Sequence, residues 1–473
     1  MRFTLLTASQ DGPCHPEHAL AALTGVLTPE RLQQALAAAG VHTQRERKLP
    51  FEAVLWLVIG MSLFATVSIP AVWDRLIAGL RLLRLKSPAR ALTVVTPGAL
   101  CSRRYALGVR PLRHLFRRVC RPLATPTTRG AFLGPFRLMA CDGHFHDVPD
   151  SPANARAFGR PTGGRGDSAF PQVLGMYLCE CGTHAVVDAQ FGPCTQSEHQ
   201  LVRHLLRSVD KGMLVMWDRG IQSADWVRAV QARGAQVLAR LSASVKPKVL
   251  QPLGDGSLLV ELRPAARDRR RRRGGCVRVR LIEYTLDDPV RNPEGHHIRL
   301  VTTLLDAQQY PAALLGQTYH ERWEEELVFD EQDTHLREQH HPSAPLRSRK
   351  PRGVIQELYG MCLAHYLVRH LMHEAAQEAG LDPDRLSFVR AVRVVQEAVK
   401  DFQIAARKCW RALAQQLRED LRRELLPPRR RRRCPREVKR KVLKWPLKRW
   451  DPAPDAPAAP AATAGSEVLL CPI

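Results

Sequence analysis

Three acids in this chain stand where chemistry could be built: Asp142 in ACDGHF, Asp218 in MWDRG and Glu326 in RWEEEL. Carboxylates are hard oxygen donors, so three of them brought together suit Mg²⁺, with Mn²⁺ as a substitute. Two such ions bridged by acids can activate an attacking oxygen and stabilise a leaving one, which is what phosphodiester cleavage needs. No side chain attacks in that chemistry; a metal-activated oxygen such as water is the nucleophile. The chain has 46 Asp and Glu, so three of them prove nothing alone, and Glu326 has Glu324, Glu325 and Glu331 as neighbours. Arg322 could serve a phosphate or merely pair along its helix with Glu325 or Glu326. Trp323 could stack on a base or sit in a core. His144 and His146 resemble metal ligands, but at this spacing on a strand they need only share one face.

The acids matter only if the fold brings them together. FRLMACDGHFHDV reads as a strand, and QVLGMYLCECGTHAVVDAQFG as two strands joined around Gly182. GMLVMWDRG is a short buried strand ending in Asp218, SADWVRAVQARG a helix capped by Ser223, and AQVLARL another strand. Three strands followed by alternating helix and strand is the layout of an α/β fold, an RNase H-like mixed sheet with helices on both faces. In that sheet Asp142, Asp218 and Glu326 converge at one edge. Residues 242–299 read as a β-rich insertion, with a hairpin at Gly254-Asp255-Gly256 and a basic loop at Arg269–Arg273. The strand HIRLVTTLLD leads out, and a long helix beginning near Tyr310 and Pro311 carries Glu326. Asp333 lies 333 − 326 = 7 residues on, about two turns of an unbroken helix and therefore on the same face.

The flanks read as helical. Thr28-Pro29-Glu30 is a helix start with Thr as N-cap, and Gly40 closes that segment. Val54–Val72 is almost continuously apolar, but Ser62, Thr66, Ser68 and Pro70 interrupt it and no second such span appears; a buried helical pair is expected, and no membrane. SRRYALGVRPLRHLFRRVC reads as a basic helix, with Arg103 and Arg104 candidates for DNA contact and a solvated face as the plain alternative. After Pro342, GVIQELYGMCLAHYLVRHLMHEAAQEAG and LSFVRAVRVVQEAV are helices. The expected organisation is a helical, DNA-binding 1–120, a catalytic 121–341 containing the insertion, a helical 342–428, and a basic arm (from Arg429) with a low-complexity tail over 429–473. Lys and Arg number 71, giving a net charge of +25 that suits a polyanion such as double-stranded DNA. Twelve cysteines without C-x-x-C pairs, and no secretory leader, fit a reduced cytoplasmic protein.

Around these acids the chain resembles the bacterial insertion-sequence DDE transposases of the IS-four group. The blocks are FRLMACDGHFHDVPDSPANARAFGRP, AFPQVLGMYLCECGTHAVVDAQFGP, GMLVMWDRG and YHERWEEELVFDEQDTHLR. The family signature in the last is Tyr, two residues, Arg, three residues, Glu, six residues, Lys. Tyr319, Arg322 and Glu326 fit it, with Trp323 following Arg; Asp333 stands where Lys is expected. The resemblance implies that Asp142, Asp218 and Glu326 hold two Mg²⁺ ions, and that Tyr319, Arg322 and Trp323 contact DNA. It implies a homodimer that binds terminal inverted repeats, cleaves element ends and joins 3′ hydroxyls to target DNA, acting at the bacterial nucleoid. A carboxylate in place of the Lys should repel the DNA end. It raises the alternative of a catalytically impaired copy that binds DNA as a repressor, and Asp333→Lys is expected to tighten end binding.

Overall fold

Five consecutive apolar residues, Met213–Trp217, are buried on both faces, the mark of a strand inside a covered sheet. Met213, Val215 and Trp217 pack on one side with Trp226, Val227 and Val230 of the helix Ala224–Gln231. Leu214 and Met216 pack on the other with Leu315 and Tyr319. The two-residue period of the strand thus supplies two separate cores. This arrangement is seen in a computed structural model describing residues 16–42, 49–78, 95–163, 166–219, 223–264, 275–288, 292–337 and 345–428. The basic runs Arg269–Arg273 and Arg429–Arg433 and the tail lie outside the described residues.

In chain order the strands are β1 (Phe132–Leu133), β2 (Phe136–Asp147), β3 (Thr162–Gly163), β4 (Gly166–Asp167), β5 (Gln172–Glu180) and β6 (Val186–Pro193). There follow β7 (Met213–Trp217), β8 (Gln236–Arg240), β9 (Lys248–Pro252), β10 (Leu258–Leu262), β11 (Val277–Asp288) and β12 (Asn292–Thr302). The main sheet runs β6-β5-β2-β7-β8-β12-β11-β10-β9. Its first three strands are antiparallel neighbours, while β2, β7 and β8 are parallel. That is the RNase H-like order expected from the sequence. The insertion does not stand apart: β12 pairs with β8, so its strands extend the same sheet.

The flanking helices behave as read, with two exceptions. Thr28 caps Pro29–Ala38 through its hydroxyl and Gly40 ends it at φ +69°. The apolar stretch folds into Phe51–Leu63 and a Ser68-capped Ile69–Leu76, and among the described residues no helix is long and apolar enough to cross a membrane. The basic segment is two helices, not one, because Gly108 turns the chain at φ +73° between Pro97–Leu107 and Arg110–Val119. The helix expected from Tyr310 is also broken. Ala312–His320 passes through a 3₁₀ turn at Glu321–Trp323 into Glu324–Asp330 and then a π-helical turn at Glu331–Leu336.

N- and C-terminal helices share one core. Phe51–Leu63 lies against Pro351–Glu378 so closely that a Cβ on Gly360 would meet the Val58 carbonyl oxygen at 2.8 Å. Arg104 crosses the same boundary. The residue is 2% exposed, and its guanidinium reaches Glu357 at 3.1 Å, Gln356 at 3.2 Å and the Gly353 carbonyl at 2.8 Å. The expectation that Arg104 contacts DNA therefore fails; the residue fastens one flank to the other. Arg103 is half-buried, lying over Phe51 and donating to the Leu49 carbonyl, so it too serves packing.

Candidate active site

Parallel pairing of β2 with β7 sets Cys141 beside Trp217. Asp142 and Asp218, the next residue on each strand, therefore emerge side by side at the same end of the sheet. Burial lifts the Asp142 carboxyl above the usual carboxylate range; Arg322 pulls it back and the neighbouring Asp218 pushes it further up. Repulsion between two neighbouring carboxylates is what a divalent cation relieves.

The third acid comes from the helix that crosses this edge. Tyr319 is buried and its hydroxyl donates to the Trp217 carbonyl at 3.1 Å, fixing the helix against the last residue before Asp218. Three residues on, Arg322 sends Nη1 to Asp142 at 3.1 Å and Nη2 toward Glu326 at 4.0 Å. One guanidinium thus spans the acid of the first strand and the acid of the helix. Burial would lower the Arg322 pKa, but Tyr319 and Asp142 outweigh it and hold the charge on. Glu326 and Asp142 are each partly exposed, so the cluster opens to solvent.

The chain matches two family models: "Insertion element 4 transposase N-terminal" over residues 17–117 and "Transposase DDE domain" over residues 134–367. It is 30% identical over 434 residues to transposase InsG for insertion sequence element IS4 of Escherichia coli K12, covering 90% of this chain and 93% of that one. The chain belongs to the IS4 family of DDE transposases. A second relative, the putative transposase InsZ of the same organism, is 23% identical over 226 residues, 47% of this chain and 72% of that one. Among solved structures, the piggyBac transposase synaptic complex with hairpin DNA matches at a TM-score of 0.42 and 11% identity, covering 87% of this chain and 86% of that one. The protein is a DNA transposase, and DDE transposase domains use divalent metal ions.

The transposase acids fit such ions by their chemistry: they are oxygen donors only, and burial, with Asp218 beside it, lifts the Asp142 carboxyl above its usual range. Among the described residues, the ligand atoms of these three carboxylates do not all lie within 4.8 Å of one another. The residues expected on DNA are arranged otherwise than the sequence implied. The Tyr319 hydroxyl is spent on a carbonyl and Arg322 on two acids, while Trp323 is half-buried in the 3₁₀ turn.

Asp333 departs furthest from expectation. The π turn rotates it off the face predicted for an unbroken helix, and its Oδ2 accepts from His144 Nε2 at 2.5 Å. Its Oδ1 lies 3.5 Å from Arg337 and 3.6 Å from His146 Nδ1. Burial works against the charge, yet the hydrogen bond from His144 and the neighbouring His146 hold the carboxyl far below its usual range. It is engaged within the protein and does not face a DNA end alone.

Two acids at this edge escaped the sequence reading. Glu198 lies against Gly143, where an added Cβ would meet its Oε1 at 2.9 Å, and burial plus Asp142 and Asp218 raise its pKa. Glu325 is 1% exposed, and burial beside Asp142 pushes its carboxyl well above the carboxylate range. Neither carries a signal in one sequence: Glu198 follows a polar turn, and Glu325 is one of three consecutive acids. Glu331 is likewise buried, bonded to His365 at 2.9 Å and paired with Arg369.

Proposed function

We propose that this transposase binds the terminal inverted repeats of its element, hydrolyses the ends and joins the freed 3′ hydroxyls to target DNA, working as a synaptic homodimer. The observation that carries the reading is Arg322 spanning Asp142 and Glu326 beside Asp218 at one edge of the sheet. Asp142, Asp218 and Glu326 would hold Mg²⁺ or Mn²⁺, probing the same site, and ions there supply Lewis-acid activation of the attacking and leaving oxygens. Arg322 holds Asp142 and Glu326 together and would supply a fixed positive charge to a DNA phosphate at this edge. Tyr319 positions the helix on the strand that leads to Asp218, and Trp323, the residue after Arg322, contacts the DNA end. The N-terminal region to residue 120 supplies end recognition, and the excess of positive charge supplies non-specific affinity. The cytoplasm, at the nucleoid, is the place of action.

A repressor that binds ends without cutting them is not favoured. That alternative drew on Asp333 repelling DNA, and the carboxylate of Asp333 is bonded to His144. Incubating the protein with labelled element ends, target plasmid and Mg²⁺ tests the proposal. Nicked ends followed by joined products support it; bound but uncut ends support the repressor, and cutting without joining supports a plain nuclease.

A further inference from the structure

Beside the catalytic acids lies a different donor set. His144 and His146 project from one face of β2, their rings 4.8 Å apart, and meet Asp333 on the π turn. One ligand atom from each lies within 4.8 Å of the other two. We propose that His144, His146 and Asp333 bind a transition-metal dication of the Zn²⁺ class, separate from the ions of the catalytic acids.

An unused donor points to the ligand. His146 is 1% exposed, its Nε2 meets the Tyr177 hydroxyl, and its Nδ1 has no hydrogen-bond partner; Asp333 is too far at 3.6 Å. A buried imidazole nitrogen aimed at a carboxylate and a second imidazole, with nothing bonded to it, is poised to donate to a metal. Tyr177 fixes the other nitrogen, as outer partners of metal-bound histidines commonly do.

The spacing suits a small ion. Donors about 2.0–2.1 Å from a tetrahedral Zn²⁺ lie roughly 3.3–3.4 Å apart. His146 Nδ1 and Asp333 Oδ1 are already at 3.6 Å, and His144 would retreat by somewhat under an ångström from its 2.5 Å contact. His144 stacks on Phe329 with ring centroids 4.6 Å apart, so it can slide without losing that support. Arg337 lies 3.5 Å from Oδ1, and the partly exposed side chains of His144 and Asp333 give an ion a way in. Two imidazoles and one carboxylate favour Zn²⁺ over Mg²⁺, whereas the all-oxygen catalytic acids favour Mg²⁺. An ion here would clip the strand of Asp142 to the turn that follows Glu326, in place of the lysine expected at position 333.

The test uses the full chain carrying Asp142→Asn, Asp218→Asn and Glu326→Gln, so that the catalytic acids cannot answer for the site. Zn²⁺ is titrated in the presence of millimolar Mg²⁺, and Co²⁺ serves as a visible-absorbing probe. We expect one Zn²⁺ per chain at micromolar affinity or tighter, a raised thermal midpoint, and Co²⁺ bands of low coordination number. His144→Ala and Asp333→Asn, at partly exposed positions, should each lose at least about tenfold in affinity. Tyr177→Phe, which removes only the outer partner, should weaken binding by about tenfold. Absence of stoichiometric Zn²⁺, or equal Zn²⁺ affinity in His144→Ala and Asp333→Asn, would overturn the assignment. So would binding present in the wild type and lost in the triple catalytic variant, because the ion would then belong to the acids.

Discussion

Replacing Arg322 with Met should destabilise the metal-free protein and make its folding depend on divalent cations. Arg322 lies 3.1 Å from Asp142, and the side chains are 8% and 21% exposed. At an effective dielectric of about 20 that separation corresponds to roughly 5 kcal/mol of raw attraction. Desolvation cancels part of it, but removing one partner strands a buried carboxylate beside Asp218, so a net loss of about 3–5 kcal/mol is expected at neutral pH. The sign with pH follows from Asp142, whose folded pKa is already raised and rises further without Arg322. The variant's deficit should grow as pH rises through that value and shrink in acid, where Asp142 binds a proton. Urea unfolding in EDTA and in millimolar Mg²⁺ measures the effect. Mg²⁺ should recover part of the loss, and adding Asp142→Asn should recover about 0.5–3 kcal/mol of it as a coupling energy. Unchanged metal-free stability, or strict additivity with Asp142→Asn, would refute a guanidinium that balances the site.

Arg104→Met should cost about 3–5 kcal/mol by stranding Glu357, while the folded variant keeps its preference for element ends; chemical denaturation and end-binding titrations check both halves. Asp333→Lys should not tighten end binding. It removes the partner of His144 and sets a cation beside Arg337, so lower thermal stability with unchanged or weaker end affinity is expected. Glu325→Leu should stabilise the metal-free protein by about 1 kcal/mol or more near neutral pH. Its raised carboxyl costs stability as pH climbs from the ordinary carboxylate range, so the gain should fade in acid, as urea midpoints across pH will show. DNA affinity should fall steeply with salt, by roughly 0.9 log units per log unit of salt for each phosphate neutralised, measured by anisotropy.

Much of the fold is legible because its strands obey strong local rules. Met213–Trp217 has no polar residue and can only be a covered strand, and the turn at Gly182 separates two more. Asp142 and Asp218 follow from those strands, since parallel register carries them to one edge. The helix from Pro311 was harder. Its 3₁₀ and π turns depend on buried groups from distant segments, such as Glu324 receiving the Gly182 amide and Glu331 paired with Arg369. Those partners come from β-strand and C-terminal stretches, so periodicity around Glu326 has no access to them. The same limit applies to Arg104, whose pattern reads as a basic surface until Glu357, some 250 residues later, is brought against it.

The most direct measurement is cleavage of labelled element ends in Mg²⁺ by the wild type and by Asp142→Ala, Asp218→Ala and Glu326→Ala, with end binding followed on the same samples. If these acids hold the catalytic ions, each variant loses cleavage and strand transfer while binding ends with nearly unchanged affinity. Cleavage by any one of them at close to the wild-type rate would contradict the assignment.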